Sequence, residues 1–141
     1  MPFRVLIKLE RILADRRGEI AETAVTLPVI LLAGLALVNL TIAGFASVNA
    51  TNAASYGARM GSVNQEAPAV SAMAAANNLL SKTSIGDYSV YASGGGRPGD
   101  SLAVTVQWSV PNYFRGLMAM FGQGIEEFTG TAVAYFRQEG W

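Results

Sequence analysis

Residues 19–62 read EIAETAVTLPVILLAGLALVNLTIAGFASVNATNAASYGARMGS. After Glu22 no charged side chain occurs until Arg59. The most apolar part, residues 23–48, exceeds the roughly 20 apolar residues that cross a bilayer, with polar interruptions at Asn39 and Thr41. A helix buried in a soluble domain is disfavoured, because a chain of 141 residues cannot wrap so long an apolar helix on all sides. A cleaved signal peptide is the competing reading, with an Ala-x-Ala-like end near Val48-Asn49-Ala50. Against it stand a leader of about 22 residues and three acids besides Glu22 within that leader.

The helical pattern continues beyond the length of a membrane span. One helix from about 19 to about 62 would run about 65 Å, twice the hydrocarbon thickness, so its distal half should project from the lipid. Small residues recur along it at Ala43, Ser47, Ala50, Ala54 and Ala58, and again at Ala53, Gly57 and Gly61. Such faces let helices approach closely; plain alanine-rich composition is the bland alternative. Pro28 removes a backbone donor and is expected to kink or loosen the helix locally.

Outside this segment, composition narrows the function classes. The chain is 51% hydrophobic and 14% charged, against about a quarter charged in ordinary soluble domains, and its mean hydropathy is +0.31. Net charge is zero, so nothing points to nucleic acid. Histidine and cysteine are absent, which removes the commonest general base, the thiol nucleophile and the commonest metal ligand. No acidic cluster is spaced for a metal. We expect no enzyme, no cofactor, no metal and no small-molecule substrate.

Cations lie mainly before the apolar run, at Arg4, Lys8, Arg11, Arg16 and Arg17. Positive charge stays in the cytoplasm, so the N-terminus is expected inside and residues beyond about 60 outside. Residues 1–18 read as a basic leader, either an amphipathic helix on lipid or a disordered arm. Residues 19–62 read as the long helix and 63–141 as an extracytoplasmic α+β domain.

In that domain Asn64–Pro68 reads as a break, with Pro68 at the start of a second helix. Val70, Met73, Asn77 and Leu80 form its predicted apolar stripe. DYSVYAS predicts a first strand and SGGGRPGD a hairpin loop. A phosphate cradle would need a helix after the glycines, and a strand follows them. SLAVTVQWSV alternates with a period of two and predicts a strand with Leu102, Val104, Val106, Trp108 and Val110 on its buried face. FTGTAVAYFRQ predicts the last strand of a three-stranded antiparallel sheet. Between these strands Phe114, Leu117, Met118 and Phe121 fall at helical spacing. They suit a partner surface or a membrane-dipping loop, and would equally cover one face of the small sheet.

Taken in order, these segments resemble the TadE-like family of pseudopilins, or minor pilins, of the tight-adherence branch of type IV pilus machinery. Arg16-Arg17-Gly18, then Glu22 through Pro28 and VILLAGLAL, are similar to that family's processing site and apolar helix. Ala53 through Arg59, Val104 through Pro111 and Thr129 through Ala134 are similar to its later segments. The likeness covers nearly the whole chain from about residue 15. It departs at Thr23, where an aromatic is usual, and in the Gly18–Glu22 interval, one residue shorter than the family pattern. The resemblance implies cutting by a prepilin peptidase between Gly18 and Glu19, and a role for Glu22 in neutralising the new amine of a neighbouring subunit. The bland reading is that both glutamates complement the positive end of a helix.

The resemblance further implies association with a major pilin, related minor pilins and an inner-membrane platform, with contact to membrane lipid. It implies a subunit that assembles, initiates or caps an adhesive or secretion pilus, held in the bacterial inner membrane or carried into the filament. A permanently anchored extracytoplasmic binding protein is the alternative.

Overall fold

The computed structural model describes residues 3–120, 122 and 124–140, with side chains at 3–17, 117, 118 and 120 outside the description. The element order is α1 (Phe3–Ser62), α2 (Pro68–Leu80), β1 (Asp87–Gly94), β2 (Ser101–Pro111), α3 (Arg115–Met120) and β3 (Glu127–Arg137). A long apolar helix is thus followed by a short helix and a three-stranded antiparallel sheet of order β1-β2-β3, an α+β arrangement. The chain divides into two compact units between Val38 and Asn39.

In the first unit α1 begins at Phe3, well before the expected start near residue 19. It runs through Pro28 without a break in its assignment. Two threonines just upstream return their hydroxyls to the backbone: Thr23 Oγ1 donates to the Glu19 carbonyl and Thr26 Oγ1 to the Glu22 carbonyl, each at 2.8 Å. Such back-bonding satisfies polar side chains inside an apolar helix. From Gly18 to Ser62 the helix is long and apolar enough to cross a membrane.

The second unit is a two-layer packing of helix on sheet. Leu102, Val104, Val106 and Val110 are buried as the β2 alternation predicts, with Trp108 partly buried beside them. Each fully buried Leu or Val contributes about 1.5–3 kcal/mol. Tyr88, Val90 and Ala92 of β1 and Ala132 and Ala134 of β3 line the same face. Across it lie Ala50, Ala53, Ala54 and Ala58 of α1 with Ala72, Ala76 and Leu80 of α2.

The buried edge of α2 is therefore Pro68, Ala72, Ala76 and Leu80. The expected stripe is only partly this face: Val70 is 62% exposed and Asn77 is exposed. The reason is closeness. A Cβ at Gly57 would stand 2.7 Å from the Ala72 carbonyl oxygen, and one at Gly61 would stand 2.6 Å from that of Pro68. Backbones this near leave room for alanine, not for valine or methionine.

Turn chemistry fixes the connections. Asn64 Oδ1 accepts from the Glu66 and Ala67 amides at 3.0 Å, preparing the start of α2 where Pro68 occupies the first turn. The β1–β2 loop uses Gly95, Gly96 and Gly99 at positive φ, a hairpin as expected. On β3, Gly130 lies beneath the Trp108 indole, so close that a Cβ there would collide with the ring. We expect Gly130→Ala to displace Trp108 and cost about 1–3 kcal/mol. A red shift of Trp108 emission in Trp141→Phe protein, with a lowered melting temperature, checks it.

Candidate functional site: an acidic helix face and a buried asparagine latch

In the first unit the two glutamates implied by the resemblance share one helix face. Glu19, Glu22, Thr23, Thr26, Leu27 and Ile30 line a shallow groove of about 430 Å³. All are exposed, and among the described residues no cation lies against either carboxylate. The face thus presents two acids at the start of a surface that is otherwise apolar: Val25, Val29, Ile30 and Leu31 are 59–70% exposed. Gly18 is exposed, and nothing lies within 4 Å of where its Cβ would be.

In the second unit the small-residue series is largely consumed inside the subunit. Ala50, Ala54, Gly57, Ala58 and Gly61 are buried against α2 and the sheet. Ala43 and Ser47 are half-buried.

The most specific polar arrangement was not legible as a site. Asn39, in the middle of the apolar run, is 3% exposed, and Asn112, at the end of β2, is 7% exposed. Asn39 Nδ2 donates to Asn112 Oδ1 at 3.1 Å, and Asn39 Oδ1 accepts from the Tyr113 amide at 3.3 Å. Asn112 in turn ties both ends of the β2–β3 connection. Its Nδ2 donates to the Ile125 carbonyl at 3.0 Å, its Oδ1 accepts from the Phe114 amide at 2.9 Å, and its own amide donates to the Glu126 carbonyl at 3.0 Å. A buried amide is costly unless paired, and here each atom of the pair has a partner. The connection is therefore a closed loop latched to α1 at Asn39.

Around the latch, Leu40, Tyr113 and Ile125 are 71%, 63% and 48% exposed, while Phe114 is half-buried. Of the residues read as a partner surface, the side chains of Leu117 and Met118, and Phe121 entirely, lie outside the described residues. Arg115 and Glu126 approach to 3.9 Å, both largely exposed, a pair worth little in stability.

A second buried amide closes the opposite sheet end. Gln138 is 2% exposed; its Oε1 accepts from the Gly96 amide and its Nε2 donates to the Asn64 carbonyl at 3.3 Å. The outer sheet face carries a shallow polar depression of about 380 Å³ beside Asp87, Ser89, Gln107, Ser109, Thr129 and Thr131. Among the described residues no three His, Cys, Asp or Glu side chains converge in a way that could hold a metal.

Comparison with models of known protein families, with curated proteins and with solved structures finds no match.

Proposed function

We propose that the protein is a pilin-like membrane subunit of the TadE-like kind, which assembles, initiates or caps a tight-adherence pilus through helix bundling and performs no catalysis. The leader faces the cytoplasm and the sheet domain lies outside the inner membrane. The observation that carries the reading is that one helix serves two tasks. Residues 18–38 of it are exposed, and apolar and uncharged after Glu22; its later part is the spine on which α2 and the sheet pack. A lone exposed apolar helix is a surface awaiting lipid or other helices. Glu19 and Glu22 are exposed at the inner edge of the apolar stretch, where an acid suits a partner supplied by a neighbouring subunit.

The partners are then a major pilin, related minor pilins, the platform and the prepilin peptidase, with Gly18 and Glu19 at the cut. Intact-mass analysis of the membrane and filament forms tests the processing, and a mature species retaining residues 1–18 refutes it. Glu22→Gln is expected to leave membrane insertion unchanged and to lower pilus assembly about tenfold or more, the effect of losing ~1.4 kcal/mol per subunit contact. Counting filaments per cell, with membrane accumulation measured in parallel, checks this. Unaltered piliation, or a protein that never co-purifies with pili, returns the chain to the permanently anchored class.

A further inference from the structure

We propose that the two ends of the β2–β3 connection, residues 112–115 and 124–126, lie at the outer surface of the bilayer and take lipid headgroups and upper acyl chains as their partner. The inference rests on α1 being a membrane span, and its argument is one of length. Between Glu22, the last charge, and Asn39, the first buried residue, stand residues 23–38. These 16 residues rise about 24 Å at 1.5 Å per residue. The hydrocarbon layer is about 30 Å thick and needs about 20 residues, more if the helix tilts. With Glu22 at the inner boundary, the lipid therefore extends past Asn39 to about Ile42.

Asn39 is the residue that holds the connection: its side chain bonds Asn112 and the Tyr113 amide. The depth of Asn39 is thus the depth of the loop's first residues. The surface chemistry there agrees. Leu40, Tyr113 and Ile125 are exposed apolar or aromatic side chains around the latch, and Phe45, about 9 Å further along α1 than Asn39, is 56% exposed. Arg115 and Glu126 are exposed and polar at the loop's two ends. Tyr with Arg beside apolar side chains is the composition of a membrane–water interface. The pairing of the Asn39 carboxamide also becomes a requirement, since water is not at hand there to replace a lost partner.

The chain has no cysteine, so single cysteines can be placed without background. Spin labels at Leu32→Cys, Tyr113→Cys, Ile125→Cys and Tyr135→Cys, all exposed positions, are read in the full chain reconstituted in phosphatidylcholine–phosphatidylglycerol vesicles. The ratio of collision with oxygen to collision with a water-soluble nickel chelate reports depth. Leu32 is expected deepest, residues 113 and 125 intermediate and several-fold above residue 135, which lies on the outer sheet face. Labels at 113 and 125 as aqueous as at 135, with 32 deep, overturn the inference and spare the span. Labels at 113 and 125 shielded from both reagents overturn it in favour of a protein partner. Label 32 equally aqueous overturns the membrane reading itself and this inference with it.

Discussion

Gly61→Ala is expected to lower the stability of the sheet-bearing unit by about 2 kcal/mol, the net of two opposed effects. Alanine gains about 1 kcal/mol over glycine inside a helix. Against this, the new methyl would stand 2.6 Å from both the Pro68 carbonyl oxygen and Leu102 Cδ2 and 2.7 Å from Ala72 Cβ. Leu102 can rotate, but the Pro68 carbonyl is backbone and Ala72 is fixed in α2. Overpacking a close-packed core costs about 1–3 kcal/mol, and three simultaneous collisions place this site at the top of that range. A loss of about 2 kcal/mol corresponds to a fall of roughly 8–16 °C for a domain near 100 residues. Gly44→Ala is the matched control, since nothing lies within 4 Å of its added methyl. It should be neutral or stabilising by up to about 1 kcal/mol. Thermal melts of the full chain in detergent, followed by near-ultraviolet circular dichroism, separate the two. Equal melting temperatures for both variants would mean that α1 and α2 are not in close contact.

That contrast also bears on what a single sequence reveals. The sheet was readable because period-two alternation is a strong local signal: residues 101–110 name their own buried face. The small residues of α1 were equally visible as a spacing, but spacing does not name the partner. Alanines and glycines fit a second helix in lipid or a second helix of the same chain; Gly57 and Gly61 have the latter against them here, and Ala50, Ala54 and Ala58 are buried in the core that α1 shares with α2 and the sheet. The face of α2 was misread for a related reason. Weighting by side-chain hydrophobicity selects Val70 and Met73, whereas an approach close enough for Gly57 and Gly61 selects Ala72 and Ala76. The latch could not be foreseen in outline at all. Asn39 stood out as a polar interruption, yet its partner is 73 positions away, and an amide pair leaves no periodic trace. Gln138 is hidden in the same way, a polar residue at the end of a strand that proves to be a buried clamp.

Asn112→Ala should be the most damaging polar substitution in the described part of the chain. It removes three bonds at once: those to the Asn39 carboxamide, the Ile125 carbonyl and the Phe114 amide. The three do not weigh equally. Ile125 is exposed and Phe114 half-buried, so water can replace part of what they lose. Asn39 is 3% exposed, and its Nδ2 is left without the acceptor it has now. Stranding a buried polar group costs about 1–3 kcal/mol, so a total near 3 kcal/mol is expected with the smaller losses added. Asn39→Leu should cost only about 1 kcal/mol: Asn112 Oδ1 keeps the Phe114 amide, no buried donor is stranded on α1, and the Tyr113 amide, which loses its acceptor, belongs to an exposed residue that water can reach. The double variant should then lose less than the sum of the singles by about 1 kcal/mol, since with Asn39 gone Asn112→Ala strands nothing there. Denaturant unfolding of the four proteins in one detergent measures that coupling. Additivity within about 0.3–0.5 kcal/mol would show the two amides to be independent, and the loop's depth could then not be inferred from that of Asn39. Coupling, together with a spin label at residue 113 that moves toward water in Asn112→Ala, would tie the latch to the placement of the loop.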